Sequence, residues 1–331
     1  MPTTHLDRAT VRAAVSLANR APSVHNSQPW RWRIGPSSIH LFGDPHRVLP
    51  ATDPEGRGML LSCGAALHHL RVSLLAAGSA STVHRMPDPD HPQHVAALEL
   101  APAQPTADDL ALAQAIEKRR SDRRVFSTWP VPSGHVERLR RVAAAEGAAL
   151  VLLDDARQAE VARLAERAAV EQALTPGLAE EVAWWSGRGR GSVDGVPAVN
   201  VPGDAPAVVP VRHFAGRQMP QNELGREESD GTLVAVLATD GDGPVERLRA
   251  GEALSAVLLT ATAIGLATDP ISQPLEVPAT RARLAADCLP SGRSPQVLLR
   301  LGWAPISASP VPATGRRPVD DTIDSLDAPW G

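Results

Sequence analysis

The feature that most constrains the fold of this 331-residue chain is a pair of long apolar helices that carry the same glycine pattern. Apolar residues recur at helical spacing over residues 55–77, and a second long helix is predicted over 245–264. Each contains Gly-x-Ala-Leu, beginning at Gly64 and at Gly251, and each is followed by a glycine fourteen residues further on. An internal duplication predicts this pattern, and so does chance similarity between two Ala- and Leu-rich helices.

The remaining periodicity predicts shorter helices and strands. Gly35 and Pro36 turn the chain between strands 30–34 and 38–42, which makes a hairpin the natural interpretation. Pro102 and Pro105 mark a linker near residue 104. The other predicted helices cover 6–20, 106–119, 135–146 and 156–174, and the other predicted strands cover 95–100, 148–153, 232–238 and 296–301.

Composition limits the class of protein. A hydrophobic content of 43% with 21% charged residues is typical of a folded globular chain. Charged residues interrupt the N-terminal segment, which argues against a signal peptide, and no apolar run reaches the roughly eighteen residues that span a bilayer. The net charge of -4 gives no general attraction to nucleic acid or to anionic membranes. We expect a cytoplasmic protein with a small-molecule partner, without nucleic-acid or membrane partners.

Neither cysteines nor histidines predict a metal site. Cys63 and Cys288 lie far apart in apolar or helical surroundings, so we interpret both as core thiols. His84, His91 and His94 fall in a Pro- and Asp-rich stretch that we interpret as a loop, without the spacing of a zinc hydrolase. There is also no Gly-x-Ser-x-Gly elbow for acyl transfer.

Residues 186–230 lack periodicity and are rich in Gly, Pro, Arg and Asp. At this length the segment far exceeds a typical connection of roughly 4 to 6 residues. Such stretches are usually active-site lids or disordered insertions. The run Gly-Arg-Gly-Arg-Gly at 187–191 mimics a phosphate loop but follows no predicted strand, so a lid is the better interpretation.

Two polar segments carry the chemistry. Residues 21–30, Ala-Pro-Ser-Val-His-Asn-Ser-Gln-Pro-Trp, can bond a planar heterocycle, and an ordinary capping turn uses the same residue types. Residues 116–126 crowd five cations around Ser121 at a helix end. Guanidinium groups and a hydroxyl bind a phosphomonoester, although a solvated basic helix end explains the same run.

Taken together, these two segments resemble signatures of the FMN-dependent nitroreductase family. That family has an Arg-x-Ser-x-Arg phosphate motif, a Pro-Ser-x-x-Asn-x-Gln-Pro-Trp loop, a long helix, a Gly-Leu-Ala segment beside the flavin and a basic C-terminal phosphate contact. Here the run from Gly265 is similar to the flavin-edge segment, and Thr-Gly-Arg-Arg-Pro from Thr314 is similar to the C-terminal contact. The resemblance covers nearly the whole chain and implies an α+β nitroreductase-like fold with FMN as cofactor.

The order of the motifs departs from the ordinary family order, because the asparagine loop precedes the arginine motif. This order, with the long insertion, resembles the Acg-type branch, described in actinobacteria as fused pseudo-dimers with a lid over the flavin. The resemblance implies two related halves that form an internal pseudo-dimer: 1–104 with the asparagine loop, and 105–331 with the phosphate motif and a 186–230 lid insertion. One chain then builds one flavin site without a partner chain, and Glu146-Gly147-Ala148-Ala149 stands where the other loop is lost.

Carried over residue by residue, the resemblance implies which residues hold FMN. The phosphate contacts are Arg119, Arg120, Ser121, Arg123 and Arg316, with Arg124 and Arg317 less well defined. Contacts to the ribityl chain and the ring are Ser23, Val24 and Asn26, while Pro270, Ile271 and Ser272 lie along the ring. No catalytic side chain is implied, and Trp30 is interpreted as a core residue.

In this family FMN takes hydride from NAD(P)H and reduces nitroaromatics or quinones, while the protein supplies position and electrostatics. The resemblance therefore implies an NAD(P)H-dependent flavin oxidoreductase. The alternative is a flavin-sequestering protein whose lid closes the cavity. Residues expected to cover the ring are Trp184, Trp185, His213, Phe214 and Met219. A ligand-free α/β scaffold follows if the arginine segment is merely solvated.

Overall fold

The computed structural model describes residues 8–35, 38–204, 207–210, 212–221 and 230–325, so the start of the predicted first helix, Pro36 and parts of the 186–230 segment lie outside the described residues. Within the described chain the helices are α1 (Arg8–Ala18), α2 (Arg57–Ala76), α3 (Ala107–Lys118), α4 (Ser133–Ala145), α5 (Asp155–Ala173), α6 (Leu178–Trp184), α7 (Pro244–Ala263), α8 (Gln273–Glu276) and α9 (Pro278–Cys288). The strands are β1 (Trp30–Ile34), β2 (Ser38–Gly43), β3 (Ser79–Arg85), β4 (His94–Pro102), β5 (Ala149–Leu152), β6 (Ser186–Arg188), β7 (Val196–Pro197), β8 (Leu233–Thr239), β9 (Ala267–Ile271), β10 (Ser294–Gly302) and β11 (Ile323–Ser325).

The two larger sheets share one strand order. The second sheet runs β5-β8-β10-β9, and the first runs β1-β2-β4-β3 with β11 added beside β1. Every pairing inside the two four-strand series is antiparallel, whereas β11 runs parallel to β1. Apart from β11, the first sheet is built before the predicted linker near residue 104 and the second sheet after it.

Buried hydrogen bonds explain why the C-terminal strand lies on the first sheet. The side-chain oxygen of Asn19 accepts the indole N–H groups of Trp30 and Trp32, each at 3.0 Å. The Asn19 amide donates to the Thr322 hydroxyl at 2.8 Å. Both tryptophans are fully buried, which confirms Trp30 as a core residue. Because buried N–H groups need partners, this junction fixes the chain just before β11 beside β1.

Helices α2 and α7 join the two sheets. Helix α2 contributes to the core of the first sheet and α7 to that of the second, and the helices cross where Gly64 meets Gly251. A Cβ on Gly64 would lie 2.0 Å from the Leu248 carbonyl oxygen, and one on Gly251 would lie 2.0 Å from the Leu61 carbonyl oxygen. Only glycine permits this approach. The repeated motif of the sequence therefore lies at the helix crossing.

Several elements have no clear periodic signal in the sequence. Strand β3 is half exposed and consists largely of Ser, Ala, Thr and His, so it lacks the apolar alternation of a typical strand. The expected loop for His84 and His94 is wrong, because they lie in β3 and β4. Helix α9 buries Thr280, Leu284 and Cys288 at four-residue spacing. Because Thr280 is polar, this buried face of the helix does not show in the sequence as a regular row of apolar residues.

One helix in the described part of the chain, α2, is long and apolar enough to cross a membrane by length and composition. This differs from the expectation that no apolar run reaches that length. In its most apolar window, 78% of the residues are buried inside the protein. Its His68 and His69 each bond the Ser255 hydroxyl of α7 at 2.7 Å, so α2 is a core helix of this fold.

Candidate functional site

Eleven site residues predicted from sequence line one pocket, whereas the less well defined Arg124 and Arg317 do not. The eleven are Ser23, Val24, Asn26, Arg119, Arg120, Ser121, Arg123, Pro270, Ile271, Ser272 and Arg316. The loop after α1, the segment after α3 and the end of β9 bring them together. The pocket therefore lies where residues before the linker meet residues after it.

One end of the pocket contains arginines that no described carboxylate neutralises. The charged groups acting on Arg119, Arg120 and Arg316 are each other and Arg20. Burial and these neighbours lower the pKa of Arg119 to about 10 and the pKa of Arg316 to about 9. Nε and Nη1 of Arg119, and Nε of Arg120 and of Arg316, have no hydrogen-bond partner in the described structure. Buried cations without counter-ions are costly, so this end fits an anion.

Backbone contacts hold the arginine segment against β9. Asp122 N–H donates to the Thr268 carbonyl oxygen at 2.9 Å, and the Thr268 hydroxyl donates to the Arg120 carbonyl oxygen at 3.3 Å. Arg124 is paired with Asp122 at 2.8 Å and does not line the pocket. Arg317 likewise lies outside it, since Asp44 accepts from its guanidinium at 3.3 Å.

The loop after α1 has an uncommon backbone conformation. His25, Asn26 and Gln28 have φ of 52°, 55° and 51°, in the left-handed region that non-glycine residues rarely adopt. The Ser23 hydroxyl accepts from Gln28 N–H at 3.0 Å, and the Gln28 side chain donates to the Val193 carbonyl oxygen at 2.8 Å. These bonds hold the loop in its strained form.

Asn26 connects this loop to two other segments. Its side-chain amide donates to the Gly195 carbonyl oxygen at 3.0 Å and to the Gly315 carbonyl oxygen at 3.2 Å. A Cβ on Gly315 would lie 2.0 Å from the Ser192 carbonyl oxygen, so the C-terminal segment also packs directly on residues 192–195. The N–H groups of Asn26 are engaged within the protein.

The wall formed by β9 carries a polar network. The Ser272 hydroxyl donates to Glu276 at 2.8 Å, and Glu276 also pairs with Arg212. Asp269 lines the pocket, and its burial raises the pKa of its carboxyl, opposed by the cations Arg123 and Arg300. Both walls of the pocket are therefore fixed by side chains from elsewhere in the chain.

Several pocket residues come from a stretch that periodicity could not assign. We call the described part of residues 186–221 the covering segment. It contributes Gly195, Val196, Asn200, Arg212 and Phe214 to the lining. Of the five residues expected to cover the ring, Phe214 lines the pocket, whereas Trp184 and His213 are exposed and Trp185 and Met219 are buried elsewhere.

Contacts with the first sheet's half of the chain anchor the covering segment and helix α6 just before it. Arg47 pairs with Asp194 at 2.6 Å, and its guanidinium lies 5.6 Å from the Trp185 ring centroid. Glu181 of α6 accepts the Ala51 and Thr52 N–H groups at 3.0 and 2.9 Å. These contacts attach the covering segment and the helix before it to residues 47–52.

His25 is a pocket residue to which sequence analysis gave no role. The residue is 6% exposed, and neither ring nitrogen has a hydrogen-bond partner among the residues that the structure describes. Burial, with the guanidinium groups of Arg212 and Arg123, lowers the pKa of His25 well below its ordinary value of 6.5. Its position inside the Pro-Ser-x-x-Asn motif is the only sequence signal that points to it.

Known proteins resemble this chain over nearly its full length. A Mycobacterium tuberculosis (strain H37Rv) protein named "Putative NAD(P)H nitroreductase Rv3131" is 46% identical over 321 residues, covering 96% of this chain and 92% of the relative. "Putative NAD(P)H nitroreductase acg" of the same organism is 37% identical over 331 residues, covering 98% of both. No protein-family model matches the chain. The chain belongs to the nitroreductase family.

The fold agrees with this membership. A crystal structure described as a putative nitroreductase from Anabaena variabilis matches with a TM-score of 0.51 and 11% identity, covering 91% of this chain and 90% of the other. The expected α+β nitroreductase-like fold is confirmed.

In this nitroreductase, a cluster of charged side chains joins helices α2 and α7 to the end of β3 and to the turn after α4. Strand β3 corresponds to β9 in the shared strand order, and the turn between α4 and β5 corresponds to the loop between α1 and β1. There Arg71 donates to Glu146 at 2.7 Å and to Glu252 at 2.8 Å, and Arg85 donates to Glu252 at 2.6 Å. We call these four residues the Arg71–Glu252 cluster.

Proposed function

We propose that this nitroreductase binds one FMN in the pocket and acts as an NAD(P)H-dependent oxidoreductase on nitroaromatics or quinones. The observation that carries the proposal is the group of pocket arginines with unpartnered N–H groups and without a neutralising carboxylate. A phosphomonoester supplies the charge and the acceptor oxygens that this end lacks. The names of the two relatives support nicotinamide as the electron donor.

The phosphate end would be held by Arg119, Arg120, Ser121 and Arg316, with Arg20 as a further cation. Arg123 stands slightly apart, since its guanidinium lies 5.1 Å from the Phe214 ring centroid. It would meet FMN beside the covering segment.

The ring and ribityl chain would lie between the loop after α1 and the end of β9. Ser23, Val24 and Asn26 form one wall, while Pro270, Ile271 and Ser272 form the other. Bound FMN supplies hydride transfer between the nicotinamide and the acceptor. The residues around it bind it, orient it and exclude water.

The shared strand order supports two related halves, 1–104 and 105–331, that form an internal pseudo-dimer. The crossing of α2 and α7 at equivalent glycines supports the same interpretation. One half supplies the asparagine loop and the other the arginine segment, so no partner chain would be needed. The Arg71–Glu252 cluster would leave no room for a second flavin.

The second candidate is a flavin-sequestering protein. It is favoured by the covering segment, residues 186–221 of the proposed 186–230 lid, which lines the pocket through Phe214 and is anchored by Arg47 and Asn26. If this segment stays closed, a nicotinamide cannot stack on the flavin. If it opens during turnover, as lids commonly do, a nicotinamide can reach the flavin and the protein acts as an oxidoreductase.

Stopped-flow reduction of the purified protein separates the two functions. We expect about one FMN per chain, bleaching of the flavin by NADPH or NADH, and reoxidation by a nitroaromatic or quinone. Reduction by dithionite but not by nicotinamide, restored by deleting most of residues 186–230, supports sequestration instead. A colourless protein that does not bind added FMN contradicts both functions.

A further inference from the structure

We propose that His25 binds the oxygen-bearing edge of a planar aromatic electron acceptor by donating a hydrogen bond from its imidazole ring. The inference rests on the proposed function, because it names the residue that recognises the acceptor in the flavin pocket. It concerns a side chain for which neither the sequence motifs nor the relatives' names give a role.

The first argument is the state of the ring itself. His25 lines the pocket and is 6% exposed, yet both Nδ1 and Nε2 lack partners in the described structure. Buried polar groups are almost always hydrogen-bonded. By contrast, the neighbouring Asn26 and Gln28 amides donate to carbonyl oxygens of the protein. The His25 ring therefore differs from these two amides, because the described protein uses neither of its nitrogens.

The second argument is the backbone that presents the ring. His25 adopts φ of 52°, in the left-handed region, and Asn26 and Gln28 do the same. Such conformations persist where surrounding contacts enforce them, commonly at ligand sites. Here the bonds of Gln28 to Ser23 and Val193 enforce the loop. The orientation of the ring follows from the loop and not from a partner of its own.

The third argument is the surroundings of the ring. The ring of Phe214 stands perpendicular to that of His25 at a centroid distance of 5.6 Å, and Arg123 stacks on Phe214. The positive charges of Arg123 and Arg212, added to burial, lower the pKa of His25, so its ring is neutral at pH 7. A neutral imidazole carries one N–H donor. The Phe214 ring offers an aromatic contact, and the His25 ring offers one N–H donor beside it. Together they match a ligand whose aromatic ring bears a nitro or carbonyl oxygen.

Equilibrium binding to the oxidised, FMN-loaded protein tests this role without requiring turnover. Isothermal titration calorimetry with nitrobenzene and with toluene compares two similar rings that differ in the acceptor oxygens. We expect the native protein to prefer nitrobenzene roughly fivefold, the size expected for one hydrogen bond between neutral groups. His25→Phe, which keeps an aromatic ring beside Phe214, should abolish the preference.

Two further variants separate hydrogen bonding from loop structure. His25→Asn retains a donor and tolerates the left-handed backbone, so it should keep most of the preference for nitrobenzene. His25→Gly takes that backbone without strain but has no donor, so it should lose the preference as His25→Phe does.

The inference is overturned if the native protein binds both rings equally or binds neither. It is also overturned if His25→Phe and His25→Gly keep the preference, or if His25→Asn loses it together with them. FMN content is measured in each sample. Failure to bind FMN at all contradicts the proposed function, whereas a fully loaded protein without the preference contradicts only the role of His25.

Discussion

The arginine end of the pocket and the Arg71–Glu252 cluster both concentrate guanidinium groups, in different surroundings. In the cluster, Arg71 and Arg85 pair with Glu146 and Glu252. At the pocket, Arg119 and its neighbours act on one another without a carboxylate. Charge is balanced inside the protein at one position and left to a ligand at the other.

This difference teaches how two parts of one fold can surround guanidinium groups differently. The paired arrangement uses few residues: a short turn at residues 146–148, one long cation at the end of β3 and one acidic residue on α7. Balanced buried charges add rigidity only while every partner is present. Buried cations without a carboxylate partner instead favour the binding of an anion.

The largest effect, on stability, should follow from removing a carboxylate of the Arg71–Glu252 cluster. Glu252 is fully buried and pairs with two arginines. Glu252→Ala should lower the free energy of unfolding by about 3 to 5 kcal/mol, because it removes the carboxylate that pairs with Arg85 and leaves Arg71 with Glu146 alone. Denaturant titration measures this. Glu160→Ala, which removes a partner of the exposed Arg163, should cost no more than about 1 kcal/mol. Similar losses for both variants would contradict the comparison.

The next effect is a pH dependence centred on His68, which lies beside Glu146. Burial lowers the pKa of His68 to about 4 from its ordinary 6.5. Between these values the unfolded chain binds a proton that the folded chain does not, so stability falls as pH falls from 6.5 to 4. The contribution is at most about 3 kcal/mol. His68→Gln should make the stability profile less steep over this range, while His25, His69 and His94, whose pKa values are also lowered by burial, keep the rest of the slope. The exposed control His46→Gln should leave the profile unchanged. A profile with the same slope in His68→Gln would refute this assignment.

The arginine end of the pocket predicts an effect of intermediate size, on the affinity for FMN alone. Arg119→Met should weaken FMN binding at least about tenfold, since a hydrogen bond to a charged group contributes roughly 1.5 to 3 kcal/mol. Binding of riboflavin, which lacks the phosphate, should change little. Fluorescence titration of the FMN-free protein measures both, with the exposed Arg167→Met as control. Equal losses for both flavins would mean that Arg119 supports the fold and not the phosphate.

The smallest effect concerns the contact between Arg47 and Asp194, which attaches the covering segment. Arg47→Gln should loosen it by no more than about 1 kcal/mol, because the pair is only partly buried. Hydrogen exchange at residues 192–196 should then be up to roughly fivefold faster. Arg190→Gln, an exposed change in the same segment, serves as the control. If both variants exchange at the native rate, Arg47 is not an anchor.

Site residues were predictable from sequence where a motif is short and local. The pocket unites Ser23 with Arg119 and Pro270 as the motifs indicated. Phe214 is one of five residues that the sequence predicts over the flavin ring, but only the structure separates it from Trp184. His25 was visible inside a motif, yet its unpartnered ring depends on residues far away in the chain. Contacts between distant segments leave no periodic signal.

The sequence by itself determined the long helices, the hairpin of β1 and β2, and the two polar segments, because periodicity and turn residues act over a few neighbours. The tertiary structure alone decided that β11 returns to the first sheet, that Glu252 neutralises Arg71 and Arg85, and that Arg212 and Phe214 stand over the pocket. These outcomes depend on burial. A charged or aromatic side chain takes its partner from whichever distant segment the packed core places beside it, and local spacing does not encode that choice.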